Sequence, residues 1–168
     1  MRQARAFTLI EILIVVVLLG VIAAIVVPAI GRTANGARET TLAMDLNLLR
    51  RFIPVYTSQH KEIPPGYPDG DTSSPPTAEA FVAQAMMATN GDGQTAERGT
   101  AGYTLGPYLS KIPANPFNRK ETLQVLADAE DFPEAPDGNN GWVYKAVTGE
   151  IRAGNIGADE RGTPYYDY

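Results

Sequence analysis

The sequence predicts an α+β fold, a long N-terminal helix packed on a small antiparallel β-sheet head. Three observations carry this. Residues 7–30 form an apolar run with no charge between Ile12 and Gly31. An apolar stripe at helical spacing then continues to about residue 60. Short alternating runs bounded by Gly and Pro appear only in the last third of the chain. The chain divides into a short basic start (1–6), an apolar helix (7–31), its polar-faced continuation (32–60) and the head (61–168).

The apolar segment has the length of a membrane span. About 20 apolar residues at 1.5 Å each cross a hydrocarbon core of roughly 30 Å. Two plain readings are a cleaved secretory signal and a simple anchor. A signal's apolar region is usually shorter, although Ala29-Ile30-Gly31 would pass as a cleavage site. Neither reading accounts for Glu11, an acid one turn inside the run. An ionisable group in such a place is costly when unpaired and points to function, unless it lies at headgroup level and is solvated.

The same residues resemble the N-terminus of type IV pilin-like proteins, which include pilins and type II secretion pseudopilins. The resemblance rests on the basic leader ending at Ala6, the motif Phe7-Thr8-Leu9-Ile10-Glu11, and the Ile/Leu/Val run with Gly20 and Pro28 inside it. It implies a pilin-like fold, with residues 1–6 as a prepilin leader. It implies that prepilin peptidase cuts between Ala6 and Phe7 and that the new Phe7 amine is methylated. The family normally has Gly before the cut, and this chain has Ala6. In a filament, Glu11 of one subunit would pair with the Phe7 amine of the next. Such a pair satisfies two charges in an apolar core and fixes the axial offset between copies. A head-to-tail contact that does not close repeats into a helical filament. Gly20 and Pro28 weaken the helix locally and mark where it would bend or melt on assembly.

Beyond the run, Leu42, Leu46, Leu49, Ile53 and Tyr56 recur at i+3 or i+4 and form one buried stripe. Asn35-Gly36 is a weak point and Pro54 a possible kink. Arg38, Glu39, Asp45, Arg50 and Arg51 mark the other face, either solvated or paired between subunits. His60 stands among Gln59, Lys61 and Glu62 and has no evident role. The Pro-rich stretch 63–68 reads as a turn. Thr77 is a good N-cap for a helix over 78–88, with Phe81, Val82, Ala85 and Met86 inward. The Gly-rich stretch 90–102 reads as a mobile loop. Ile112-Pro113-Ala114-Asn115-Pro116-Phe117 reads as a packing turn. Strands are expected at 121–126, at 141–147 with Trp142, Tyr144 and Ala146 on one face, and at 150–153 as a hairpin partner. The tail 154–168 is either packed or loose.

Composition narrows the function. The net charge is −5 and there is no cysteine. An acidic chain lacks the clustered cations of a nucleic-acid surface. Thiol catalysis, disulfides and Zn–Cys sites are excluded. Ser58, Ser73, Ser74, Ser110 and His60 fit no hydrolase or phosphate-loop pattern, so no enzyme is expected. Asp128, Glu130, Asp131, Glu134 and Asp137 crowd one link, with sparser acids at Asp69/Asp71 and Asp159/Glu160. Oxygen-rich loops suit Ca2+, and the resemblance adds the calcium-stabilised C-terminal loop of major pseudopilins. The chain does not reproduce that loop residue by residue.

Within the family the Asn-Pro-Phe and Gly-Trp-Val-Tyr stretches resemble type II secretion major pseudopilins. The resemblance implies a subunit of a helical homopolymer that drives protein secretion. Its partners would be copies of itself, prepilin peptidase, the inner-membrane assembly platform and minor pseudopilins. It would cross the inner membrane once, with its C-terminal domain in the periplasm. A type IV pilin, a DNA-uptake pseudopilin and a non-assembling membrane-anchored binding module remain the alternatives.

Overall fold

The computed structural model describes residues 8–168, with the backbone but not the side chains of residues 27–34. Helix α1 spans Leu9–Gln59 without interruption. The chain forms two compact units, Met1–Arg38 and Glu39–Tyr168.

In the first unit, Leu9–Val26 is apolar and long enough to cross a membrane, and every side chain in it is exposed. Neither Gly20 nor Pro28 ends the helix, and Asn35-Gly36 stays helical.

The second unit is the head. The expected stripe is its spine: Leu42, Leu46, Leu49, Phe52, Ile53 and Tyr56 are all buried. Pro54 cannot donate to the Arg50 carbonyl, yet the helix runs through it to Gln59. After Gln59 the chain turns sharply, with Lys61 and Glu62 both at positive φ. Helix α2, Ala78–Met86, is capped by the Thr77 side chain, which accepts from the Ala80 amide at 3.1 Å. Phe81 and Ala85 face inward as expected. Met86 does not; it is exposed, and Gln84 is buried in its place.

Two sheets follow. Strands β1 (Ala88–Thr89) and β2 (Thr95–Ala96) pair antiparallel, so part of the expected mobile Gly-rich loop is a small hairpin. The second sheet has the order β3 (Leu123–Leu126), β4 (Trp142–Lys145), β5 (Glu150–Ala153). β4 and β5 form the expected antiparallel pair. β3 and β4 run parallel, so this sheet is mixed rather than wholly antiparallel. The chain between them is long enough for a crossover, which parallel pairing requires. Ala146 leaves the strand for a short 3-10 turn, Ala146–Thr148.

Trp142, Tyr144 and Ala146 are fully buried against the α1 stripe and Phe81. The two ring polar groups find partners: Trp142 Nε1 donates to the Pro113 carbonyl and Tyr144 hydroxyl to the Pro65 carbonyl, both at 2.9 Å. Close backbone approach explains Gly141. A Cβ there would lie 2.1 Å from the Lys120 carbonyl oxygen.

Candidate functional site

The N-terminal motif begins at the edge of the described residues. Ala6 and Phe7, the expected processing and pairing positions, lie outside them. Thr8 and Glu11 are inside and form a reciprocal cap at the start of α1. The Thr8 amide and hydroxyl donate to Glu11 Oε2 at 3.0 and 3.1 Å. The Glu11 amide lies 3.3 Å from Thr8 Oγ1 and 3.1 Å from the Thr8 carbonyl oxygen. This is a capping box: the two side chains satisfy backbone donors that a helix start leaves without partners. The signal was present in the sequence as Thr8-x-x-Glu11.

Glu11 thus has a partner inside its own chain. It is exposed, with Oε2 engaged among the described residues. A carboxylate held at the first turn is aimed at the positive end of the helix dipole. Gly20 meets no atom within 4 Å of an added Cβ. Pro28 lies in α1, and its side chain is outside the described ones.

Four polar side chains anchor the head: His60, Gln84, Asn115 and Arg50. His60, 1% exposed, stacks on Tyr56 with ring centroids 3.7 Å apart and planes 8° apart. Its Nδ1 donates to the Tyr56 carbonyl at 2.7 Å, and its Nε2 accepts the Thr89 hydroxyl at 2.9 Å. A carbonyl can only accept, so the neutral tautomer with the proton on Nδ1 is selected. Burial pushes the His60 pKa down, opposed by its contacts with the Tyr56 and Asn90 backbone.

Gln84 joins three segments. Its Oε1 accepts the Gly66 amide at 2.7 Å, and its Nε2 donates to the carbonyls of Tyr67 (2.8 Å) and Gly93 (3.1 Å). Asn115, in the Pro-Ala-Asn-Pro-Phe turn, donates from Nδ2 to the Gly141 carbonyl (2.9 Å) and to Asn155 Oδ1 (2.7 Å). Its Oδ1 accepts the Phe117 amide at 3.0 Å. The fourth anchor is Arg50, on the face expected to be solvated or paired between subunits. It donates from Nη2 to the Ile151 carbonyl at 3.1 Å and to the Tyr168 main-chain oxygen.

A groove of about 890 Å³ runs along α2 and β3, lined by Val82, Met86, Met87, Ile112 and Leu123. Its lining holds no serine or histidine. Among the described residues no three acidic or histidine side chains are grouped as metal ligands.

Comparison with known proteins agrees with the motif. Residues 1–27 match the family model described as a prokaryotic N-terminal methylation motif. The chain is 30% identical to the type II secretion system core protein G of Pseudomonas aeruginosa over 132 residues, 79% of this chain and 80% of that one. It is 29% identical to the protein of the same name from Klebsiella pneumoniae, across 82% of this chain and 89% of that one. The Vibrio cholerae protein of that name is 24% identical, across 82% and 88%. No solved structure is significantly similar.

Proposed function

Because this chain belongs to the type II secretion system core protein G family, we propose that it is the major pseudopilin of such a system, a structural subunit rather than an enzyme. The observation that carries this is the Phe7-Thr8-Leu9-Ile10-Glu11 start, inside a matched methylation motif and ahead of a helix apolar enough to cross a membrane. Prepilin peptidase removes residues 1–6 and methylates Phe7. The subunit waits in the inner membrane on one span, with its head in the periplasm. The assembly platform then draws it, with minor pseudopilins, into a periplasmic filament whose growth moves proteins outward.

Within the filament, Glu11 changes partner. The carboxylate that caps α1 in the free subunit turns to the Phe7 amine of a neighbour. A charge pair in an apolar core is favourable only against the alternative of two unpaired buried charges, so it selects register more than it adds stability. Gly20 and Pro28 mark where the helix bends or melts as it leaves lipid.

Mass spectrometry of the mature protein tests the processing, and shearing or cross-linking tests assembly. The expected result is a chain beginning with N-methylated Phe7, and an inserted but unpolymerised Glu11→Val protein. A mature chain that keeps Met1, or normal filaments from Glu11→Val, would overturn the proposal.

A further inference from the structure

The resemblance to secretion pseudopilins brings an expectation of calcium, and the donor set of this chain can be held against it. Calcium takes 6–8 oxygens converging on one point, with carboxylates at the centre of the set. In the acidic link four of the five carboxylates are engaged by separate partners. Asp128 Oδ1 accepts the Tyr67 hydroxyl at 2.7 Å. Glu130 Oε2 accepts the Ala127 amide at 3.2 Å. Asp131 faces Lys145 Nζ at 3.2 Å. Asp137 folds back on Asn139, accepting its amide at 2.8 Å and its Nδ2 at 2.9 Å.

The C-terminal loop is closed from within. Asp159 Oδ1 accepts the amides of Arg161 and Thr163, each at 2.8 Å. Its Oδ2 lies 3.6 Å from Arg161 Nε, and the side chain is 7% exposed. Backbone bonds complete the turn: Asp159 N to Thr163 O at 2.9 Å, and Tyr165 N to Gly157 O at 3.0 Å. The buried acid of this loop, Asp159, is therefore already engaged by N–H donors, which a calcium ion would have to displace. The residues present do not fit the ion.

Something else gathers the backbone oxygens there. The Arg50 guanidinium reaches from α1 to two main-chain oxygens, Ile151 in β5 and Tyr168 in the tail. A planar cation with several donors can draw two oxygens together as a metal would. The tail is also stacked in place. Tyr165 lies on Phe117 with centroids 4.2 Å apart and gives its hydroxyl to Glu39 at 3.0 Å. Tyr168 meets Tyr165 edge-on at 5.4 Å. On the other side, Arg152 sits over Phe132 at 4.2 Å and 5.1 Å from Tyr166.

We propose that the tail of this chain is fastened to α1 by Arg50 and the Phe117–Tyr165–Tyr168 stack in place of calcium, so that the head closes equally well without the ion. The idea is independent of the secretion role, because it concerns the unassembled subunit. It deepens the family assignment by removing from this chain the calcium dependence that the resemblance implies.

The test uses the full chain in detergent micelles, stripped with EGTA and compared with the same protein in millimolar CaCl2. Melting and hydrogen–deuterium exchange of residues 157–168 are read in both. The expected result is a melting midpoint equal within about 1 °C and equal tail exchange. Arg50→Ala should speed tail exchange about tenfold in both buffers. Should Arg50→Ala not fold, Arg50→Lys, which keeps a charge and loses the fork, should speed it to a smaller degree in both. A calcium-dependent rise of more than about 3 °C, tail protection that needs calcium, or unchanged exchange in both variants would overturn the proposal.

Discussion

Tyr56 and His60 are one helical turn apart, and the His60 ring lies flat on Tyr56 while its Nδ1 proton sits on the Tyr56 carbonyl. The pair closes the C-terminal end of α1 and ties it through Thr89 to β1. Tyr108 is the other titratable ring in contact, edge-on to His60 at 6.2 Å.

The burial that lowers the His60 pKa makes head stability pH-dependent. The unfolded chain takes up this proton near pH 6.5, while the folded head resists it until lower pH. Between the two values the unfolded state binds more protons, so stability is full above about pH 6.5 and falls as the pH drops toward the folded value. Melting between pH 8 and pH 5 should show this loss, and His60→Gln should flatten the slope. An unchanged slope in the variant would assign the acid sensitivity elsewhere.

At the helix start, two substitutions separate capping from charge. Glu11→Gln keeps a side chain that can serve a capping box but removes the charge. It should leave the helix formed and the filament lost. Thr8→Val removes the hydroxyl and keeps the charge, at a cost of about 1 kcal/mol to the first turn. Its filament yield, measured by shearing, should fall less than that of Glu11→Gln. The reverse order would mean that the cap, not the charge, governs assembly.

Gln84→Ala should cost about 2–4 kcal/mol, because it strands the Gly66 amide and two carbonyls in the interior. Denaturant unfolding followed by Trp142 fluorescence would read it. Gln84→Leu, apolar and of similar size, should recover little, since the stranded groups belong to the backbone.

Gly141→Ala should be worse than its size suggests. The added methyl would meet the Lys120 carbonyl oxygen at 2.1 Å, and backbone cannot step aside cheaply. Asn115→Ala releases the same Gly141 carbonyl from the other side. The two substitutions share one segment, so their unfolding costs should sum to more than the double variant shows.

Much of the fold could be read from periodicity. The α1 stripe and the Trp142/Tyr144/Ala146 face follow from spacings of 3.6 and 2, which burial enforces directly. The parallel direction of β3 could not be read this way, since a short apolar run does not encode which neighbour it joins. His60 was hidden by its polar neighbours; its burial is decided by Thr89, 29 residues later. Met86, expected inward, is exposed and Gln84 is buried, because the inward surface there is backbone amide and carbonyl, which rewards a side chain that bonds both. The Thr8–Glu11 cap is legible as the pattern Thr8-x-x-Glu11, whose acid can also serve a neighbouring subunit. Of the processing pair, Ala6 and Phe7 lie outside the described residues, and the sequence remains their support.

The contact between Arg50 and the Tyr168 main-chain oxygen also sets a clock. The two residues are 118 positions apart. A ribosome adding about 5–20 residues per second needs roughly ten seconds to supply the second after the first. For most of that interval the stripe of α1 lacks β4, β5 and the tail that cover it. A newborn head therefore passes through a period of exposed apolar surface, when a holding chaperone or a protease would meet it.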